Sequence, residues 1–207
     1  MIRRILNAIK IVIWRYKTYG FHSAFIAIKS RILNIFVRLL NFLLPPKIVC
    51  PCCGWKGAKF LYLDCGWFIV PEVECPSCRA HERHRFLRLL FDKMPPKFLQ
   101  TEGKSIKILY FAPEPHFLNL LKENKNLNIV FTDYSPEAIA NVPSPKFVAD
   151  IHSLPLPDES FDAIICIHVL EHVKDDRSAL RELHRVLKPN GQLLLMVPFM
   201  MNQSETI

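Results

Sequence analysis

The amino-acid sequence predicts an α/β protein: a mostly parallel sheet of about five strands, preceded by a small cysteine-rich module and a helical extension. After Ser105, short apolar runs alternate with helical stretches, as in βαβ units. Six of the seven cysteines fall within residues 50–78, and the first 47 residues hold nine basic side chains and no acidic one. We therefore expect four segments: the extension at 1–47, the cysteine module at 48–80, a connecting helix and linker at 81–104, and the α/β domain at 105–207.

The composition narrows the class of protein. The 207 residues are 50% hydrophobic, which is enough to bury a core and excludes a mainly disordered chain. The net charge of +8 lies in the extension, because residues 48–207 carry 18 basic and 19 acidic side chains. Phosphate binding needs clustered Lys and Arg, so we do not expect the body of the protein to bind nucleic acid.

The extension is predicted to be helical, with a break at Tyr19–Gly20 and an end at Pro45–Pro46. Its longest uncharged run, Thr18–Ile28, has 11 residues, well short of the ~20 needed to cross a bilayer. Its second half has a polar face and an apolar face, the latter formed by Ile28, Ile32, Ile35, Phe36, Leu39, Leu40 and Leu43. Two interpretations stay open: residues 1–44 lie on an anionic membrane surface, or they pack on the protein or a partner with the basic face in solvent.

The cysteines form two Cys-x2-Cys pairs, Cys50/Cys53 and Cys75/Cys78, with 21 residues between the pairs. Two such turns complete a closed tetrahedral zinc site, so we predict a structural Zn²⁺ in a zinc ribbon with a β-hairpin around Asp64–Gly66. A redox dithiol or a group of unrelated buried thiols are the alternatives. Further residues near the motif are Cys52, which could replace a neighbouring ligand, the spare Cys65, and the possible ligands His81 and His84.

Cysteine usage also bears on location. The odd number of cysteines and the lack of a signal-peptide pattern predict a reducing compartment. We expect a cytoplasmic protein, peripheral at the inner membrane face if the extension binds lipid.

The α/β domain is predicted to alternate strands and helices. The expected strands are 106–112, 128–134, 147–151, 161–167 and 192–197, and the expected helices are 115–124, 136–141 and 176–187, with a turn at 188–191. The fourth strand is a near-continuous apolar run, typical of a strand buried on both faces. Asp175 or Asp176 is placed to cap the last helix.

In parallel sheets, ligands bind beyond the carboxyl ends of the strands. The loop 112–116 and the segment His168–Leu170 are therefore candidate walls of a site. A carboxylate at Asp133 can accept both hydroxyls of a ribose. Asp150 and Ile151 suit an adenine, because the carboxylate can accept from the exocyclic amine and the apolar side chain can cover the ring.

Two stretches, Phe161–Val173 and Ala179–Leu193, carry a resemblance to a known family. With the block 149–162 they resemble class I S-adenosylmethionine-dependent methyltransferases of the branch called methyltransferase type 11, over about residues 105–199. The resemblance implies a Rossmann-like sheet in the order 3-2-1-4-5 that binds S-adenosylmethionine and transfers its methyl group. The cofactor contacts it implies are Asp133 for the ribose, Asp150 and Ile151 for the adenine, Ile167 and His168 for the wall, and Ala112, Pro113 and Glu114 for the first loop.

The sequence departs from the family pattern in two places. The family's first strand usually ends in an acidic residue and a Gly-rich loop, whereas residues 110–116 contain no glycine and offer Glu114 as the charge. The cysteine module followed by Glu82–Arg85 and then by Ala112–Glu114 also resembles a group of bacterial zinc-ribbon methyltransferase-like proteins. The family sheet has seven strands, so five would leave the last as an exposed edge, which the extension could cover unless the chain is a truncated product.

The resemblance leads to a methyltransferase acting on a small-molecule, glycan or lipid-linked substrate, with the methyl acceptor itself not predicted. His168 and His172 are candidate bases, with Glu171 behind them, and structural packing is the alternative role for His172. A catalytically inactive binding or scaffold protein is a second hypothesis. A third is an RNA methyltransferase that uses the ribbon to bind RNA, against which the near-neutral body argues.

Overall fold

A computed structural model describes residues 2–100, 103–122 and 124–198. In the first range, side chains are described from residue 6 onward. The predicted segments that include residues 101–102, 123 and 199–207 extend outside these described residues. The chain divides into two compact units, Met1–Asp92 and Lys93–Ile207. Within the described residues, no helix combines the length and apolar content that crossing a bilayer requires.

The first unit consists of a long kinked helix, two small antiparallel ladders and a second helix. Helix α1 (Ile2–Leu43) is interrupted at Gly20, whose φ of 82° and ψ of −176° are not helical. This kink confirms the predicted break and uses a conformation that glycine adopts without a steric penalty. The remaining elements are β1 (Ile48–Val49) with β2 (Lys56–Gly57), β3 (Leu61–Asp64) with β4 (Ile69–Glu74), and α2 (Glu82–Lys93).

Helix α1 packs on the β3–β4 hairpin through its polar face. Asn34 Nδ2 donates to the carbonyl of Tyr62 (3.0 Å), and the Tyr62 N–H donates to Asn34 Oδ1 (2.7 Å). Asn41 Oδ1 accepts from the N–H groups of Ala58 and Lys59 in the same way (2.8 and 2.9 Å). Lys29 and Arg38 are exposed, as the packing interpretation expects of the basic side chains, whereas Asn34 and Asn41 of the polar face contact the backbone of residues 58–62.

The second unit is built on one parallel sheet. Its strands are β5 (Ile106–Phe111), β6 (Leu127–Asp133), β7 (Lys146–Val148), β8 (Phe161–Ile167) and β9 (Leu187–Met196), in the spatial order β7-β6-β5-β8-β9. All neighbouring pairs are parallel, so the predicted order 3-2-1-4-5 is confirmed. The helices are α3 (Pro115–Leu121), α4 (Pro136–Ile139) and α5 (Asp176–Val186).

Strand β8, which lies between β5 and β9, packs with helix α5 in the core of this unit. Six of the seven residues of β8 are buried, as expected for a strand covered on both faces. Helix α5 begins after Asp175, whose carboxylate accepts from the N–H of Ser178 (3.0 Å), and it buries Ala179, Leu183 and Val186. The predicted cap and most of the predicted inward face are therefore confirmed, although Leu180 is partly exposed.

Several predicted boundaries are wrong. Helix α3 ends at Leu121 rather than 124, α4 at Ile139, and β7 covers Lys146–Val148 rather than 147–151. The predicted turn 188–191 lies inside β9 as an irregularity of its pairing with β8, since Phe161 faces Leu187 whereas Ala163 faces Gln192. A Pro-Asn-Gly sequence fits such a bulge as well as it fits a turn.

Candidate functional site

A cleft of about 650 Å³ lies at the carboxyl ends of the strands of the second unit. This volume falls within the usual range for small-molecule and cofactor sites. The residues that line it are Phe111, Ala112, Asp133, Tyr134, Ala149, Asp150, Ile151, His152, His168, Val169, His172, Val173 and Lys174.

The cleft brings together most of the predicted site residues. Ala112, Asp133, Asp150, Ile151, His168 and His172 all line it. Ile167 is 2% exposed and lies in the doubly covered strand β8. Pro113 and Glu114 are not among the lining residues, and the N–H of Glu114 donates to the hydroxyl of Tyr110 (3.0 Å) at the start of α3. Cofactor contacts at these three positions stay predictions.

Two lining residues, Ala112 and His168, have left-handed backbones. Ala112 follows β5 with a φ of 45°, and His168 follows β8 with a φ of 54°. Both conformations are held by hydrogen bonds, since the Ala112 N–H donates to Thr132 O and the His168 N–H to Met196 O (both 2.9 Å). Non-glycine residues adopt this region at a cost of about 1–3 kcal/mol, and such strain is concentrated at functional sites.

The two strand-end carboxylates are oriented by their own loops. Asp133 Oδ1 accepts from the N–H of Ser135 (2.8 Å). Asp150 Oδ1 accepts from the N–H of His152 (2.9 Å) and lies 2.6 Å from its Nδ1. These hydrogen bonds lower the pKa of Asp150, which therefore presents a negative charge to the cleft at neutral pH.

His152 is the lining residue of most chemical interest that the sequence analysis missed. Its Nδ1 contacts Asp150, and its Nε2 is buried without a hydrogen-bond partner among the described residues. An unsatisfied buried nitrogen is unfavourable unless a ligand or water completes it. The Asp-x-His spacing directly after the third strand was the available signal. Tyr134 and Lys174 were also missed.

On the opposite wall, His168 Nδ1 lies 3.0 Å from Glu171 Oε1. If Nδ1 carries the proton of the neutral ring, the carboxylate fixes that tautomer and leaves Nε2 as the nitrogen that can accept a proton. His172 ends the short 3-10 turn Leu170–His172 and donates its N–H to Val169 O (3.0 Å). The arrangement can therefore serve general-base chemistry at His168.

The first unit holds a second candidate site, a cluster of four cysteine sulfurs. The Sγ atoms of Cys50, Cys53, Cys75 and Cys78 all lie within 4.8 Å of one another. Two of the separations, Cys50–Cys78 and Cys53–Cys75, are 3.8 Å. A tetrahedron with a metal–sulfur distance of about 2.3 Å has edges of about 3.8 Å, so the donor set fits Zn²⁺. Among the described residues, the cluster does not include Cys52, Cys65, His81 or His84.

The two turns that present these sulfurs have the same backbone pattern. In the first, the Gly54 N–H donates to Cys50 O and the Cys50 N–H to Trp55 O (both 2.8 Å). In the second, the Arg79 N–H donates to Cys75 O (3.0 Å) and the Cys75 N–H donates to Ala80 O (2.9 Å). Gly54 and Arg79 both have positive φ angles, 72° and 68°.

Burial raises the pKa of the Cys50 thiol to about 12, and it raises that of Cys78 likewise. Burial also acts on Cys53, but hydrogen bonds from the Trp55 N–H and the neighbouring thiols lower its pKa to about 7. A bound cation would stabilise the thiolate form at each of these sulfurs.

The order of the sheet, the cleft at the carboxyl ends of its strands and the carboxylates after the second and third strands form a Rossmann-like sheet with a candidate ligand site in the usual place. Residues 115–195 match the family model described as "Methyltransferase domain" (Methyltransf_11). The recognition of the type 11 branch of S-adenosylmethionine-dependent methyltransferases is confirmed for this part of the chain.

Individual relatives agree with this family. The uncharacterized methyltransferase YcgJ of Bacillus subtilis is 52% identical over 124 residues, which cover 59% of this chain and 43% of the relative. The ubiquinone/menaquinone biosynthesis C-methyltransferase UbiE of Pectobacterium carotovorum is 46% identical over 129 residues, covering 60% and 45%. Among solved structures, the PH0226 protein of Pyrococcus horikoshii superposes with a TM-score of 0.43 at 24% identity, over 53% of this chain and 57% of that chain. The chain spans less than half the length of the curated relatives named here.

Proposed function

We propose that this protein is an S-adenosylmethionine-dependent methyltransferase whose acceptor is a small molecule, a glycan or a lipid-linked compound. The observation that carries the proposal is the cleft, which is lined by two carboxylates, Asp133 and Asp150, and whose second-strand and third-strand walls lie within the part of the chain that matches the methyltransferase family model. One relative is named a ubiquinone/menaquinone biosynthesis C-methyltransferase, and this name supports an acceptor that is not a macromolecule.

The residues present fit the cofactor. Asp133 would accept from the ribose hydroxyls, while Asp150 and the unsatisfied Nε2 of His152 offer polar partners for the adenine edge. Ile151 and Val169 supply apolar surface for the ring. When bound, S-adenosylmethionine would supply an electrophilic methyl group on its sulfonium sulfur. For an acceptor that must lose a proton, His168 Nε2 would receive it, with Glu171 holding the other ring nitrogen.

A calorimetric titration of the full chain with S-adenosylmethionine tests the proposal. We expect binding in the micromolar range for the wild-type protein. Asp133→Asn should weaken it by about 10- to 100-fold, because a charged acceptor is lost while Oδ1 can still cap Ser135. Asp176→Asn, an exposed position at the start of α5, is the matched control and should bind like the wild type. A folded wild-type protein that binds no cofactor up to millimolar concentration refutes the proposal.

A binding or scaffold protein is the competing function, and one observation favours it: the loop 112–116 contains no glycine. The left-handed backbone of Ala112 argues the other way, because the turn keeps the conformation that glycine would adopt. The same titration separates the two functions.

We further propose that Cys50, Cys53, Cys75 and Cys78 hold a structural zinc ion. The 3.8 Å sulfur separations and the two matching turns support this assignment. Elemental analysis of the purified chain should give close to one zinc per chain, Cys75→Ser should lose it, and the control Cys65→Ser should retain it. A wild-type protein without near-stoichiometric zinc, or a Cys75→Ser variant with full zinc, contradicts the assignment.

A further inference from the structure

The second half of α1 exposes a continuous apolar stripe. Its residues recur at alternating steps of three and four, which places them on one helix face: Phe25, Ile28, Ile32, Ile35, Leu39 and Phe42. We call this set the apolar seam. Its members are 44% to 85% exposed, with Ile28 least and Phe42 most exposed. Large contiguous apolar patches are rare on the surfaces of soluble proteins, and they mark sites that interact with a protein, a membrane or a ligand.

The packing of α1 explains why the seam stays outside the core. Small residues, among them Ala24, Ala27 and Ser30, are buried on another face of the helix. Asn34 and Asn41 hydrogen-bond to the backbone of Tyr62 and Lys59, and Ile26 and Val37 are also buried. The helix is therefore held within its unit without the seam, which stays exposed.

Charge identifies the chemistry of the occupant of the seam. Lys29 and Arg38 are exposed close to the seam in the helix, and residues 1–47 contain nine basic side chains and no acidic one. A second copy of the helix would bring like charges together with no carboxylate from this segment to compensate. An anionic lipid surface instead offers acyl chains to the seam and phosphate groups to Lys29 and Arg38.

A second exposed apolar feature of this unit is a cluster of aromatic side chains beside the kink at Gly20. Trp14, Tyr19 and Trp67 form a cluster with ring centroids 5.4 and 6.2 Å apart, and each is about half exposed. Trp and Tyr are the side chains enriched where a protein meets the headgroup region of a bilayer.

We propose that the apolar seam binds α1 to the surface of an anionic membrane, with its side chains at the acyl-chain boundary and with Lys29 and Arg38 at the lipid phosphates. This inference is independent of the proposed methyl transfer, because neither the seam nor these basic residues belong to the cleft.

Co-sedimentation of the full chain with vesicles tests the proposal. The vesicles are phosphatidylcholine alone, or phosphatidylcholine with phosphatidylglycerol. We expect the wild type to pellet with the anionic vesicles much more strongly than with the neutral ones. Lys29→Gln/Arg38→Gln should lower the partition constant on anionic vesicles by about 25-fold, from about fivefold for each basic residue. Its control, Lys122→Gln/Lys125→Gln, removes two exposed lysines of the second unit and should pellet like the wild type.

The seam itself is tested by Ile32→Asn/Ile35→Asn, which changes side chains that are 62% and 69% exposed and so leaves the fold intact. We expect partitioning to fall by roughly tenfold or more, because apolar area is lost from the interface. Leu89→Asn, at a half-exposed apolar position of α2, is the matched control and should change nothing. Equal pelleting of wild type and seam variant overturns the proposal. So does a lipid-free dimer, detected by sedimentation velocity, that the seam variant abolishes.

Discussion

A network around Glu182 and Arg185 provides a quantitative test of the second unit. Both oxygens of Glu182 accept from the Arg185 guanidinium (2.8 Å each), and Oε2 also accepts from the N–H of Leu154 (2.9 Å). Arg185 in turn donates to the carbonyls of Leu154 and Leu156 (3.0 and 2.8 Å). The pair therefore fixes the loop that follows Asp150–His152 of the cleft.

The Arg185 guanidinium, together with the Leu154 N–H, lowers the pKa of Glu182 from 4.5 to about 2. A lowering of this size corresponds to at most about 3 kcal/mol of folding free energy. The side chains of Glu182 and Arg185 are 20% and 31% exposed, so solvent screening reduces the expected contribution to about 1–2 kcal/mol.

We therefore predict that Glu182→Gln lowers the free energy of unfolding by about 1–2 kcal/mol at pH 7. Because the folded pKa lies below the unfolded one, the difference between wild type and variant should persist above pH 4.5 and disappear as the pH falls toward 2. Urea unfolding at a series of pH values measures it, and hydrogen exchange of the Leu154 amide reports the local loss. Glu159→Gln, at an exposed position nearby, is the control. A difference that is absent at pH 7, or unchanged at pH 2.5, refutes the reasoning.

Three further changes test other parts of the structure. A Cβ at Gly57 would lie 2.2 Å from the ring of Trp55, so Gly57→Ala should lower the free energy of unfolding by about 1–3 kcal/mol in urea titrations. Ala112 has a φ of 45°, so Ala112→Gly should change the free energy of unfolding by less than about 1 kcal/mol. Ala112→Val, with a β-branched side chain, should lower that free energy by a larger amount. Leu183→Ala, at a 1% exposed core position, should cost about 2–5 kcal/mol, whereas Leu193→Ala, at a 37% exposed position, should cost clearly less.

The parts of the fold that sequence could predict are those in which pattern and burial agree. Strand β8 was located to the residue, because Phe161–Ile167 is apolar at every position except Asp162 and six of its seven residues are buried. Helix α5 was predicted well because Asp175 caps it and its apolar residues recur at helical spacing. The strand order followed from the family resemblance, since local patterns do not fix which strands are neighbours.

The face of α1 that packs could not be predicted from hydropathy. The apolar residues of the second half indicated burial on that side, yet Asn34 and Asn41 hold the opposite arrangement by pairing with hairpin backbone groups. Such specific hydrogen bonds depend on a partner that is distant in sequence. The contact between His152 and Asp150 is different, because the two residues are only two positions apart and the Asp-x-His spacing was a signal that the sequence analysis did not use.

The first cofactor loop shows how a departure from a family motif can leave the backbone intact. Glycine serves at such a turn because it adopts positive φ without steric cost and lets a ligand approach the backbone. Ala112 meets the first requirement at φ 45°, held by its hydrogen bond to Thr132 O, and adds only one methyl group to the lining of the cleft. Alanine in place of the family's glycine therefore affects how closely a ligand can approach the backbone, and it leaves the turn unchanged. For this reason, we expect Ala112→Gly to change the affinity for S-adenosylmethionine more than it changes the free energy of unfolding.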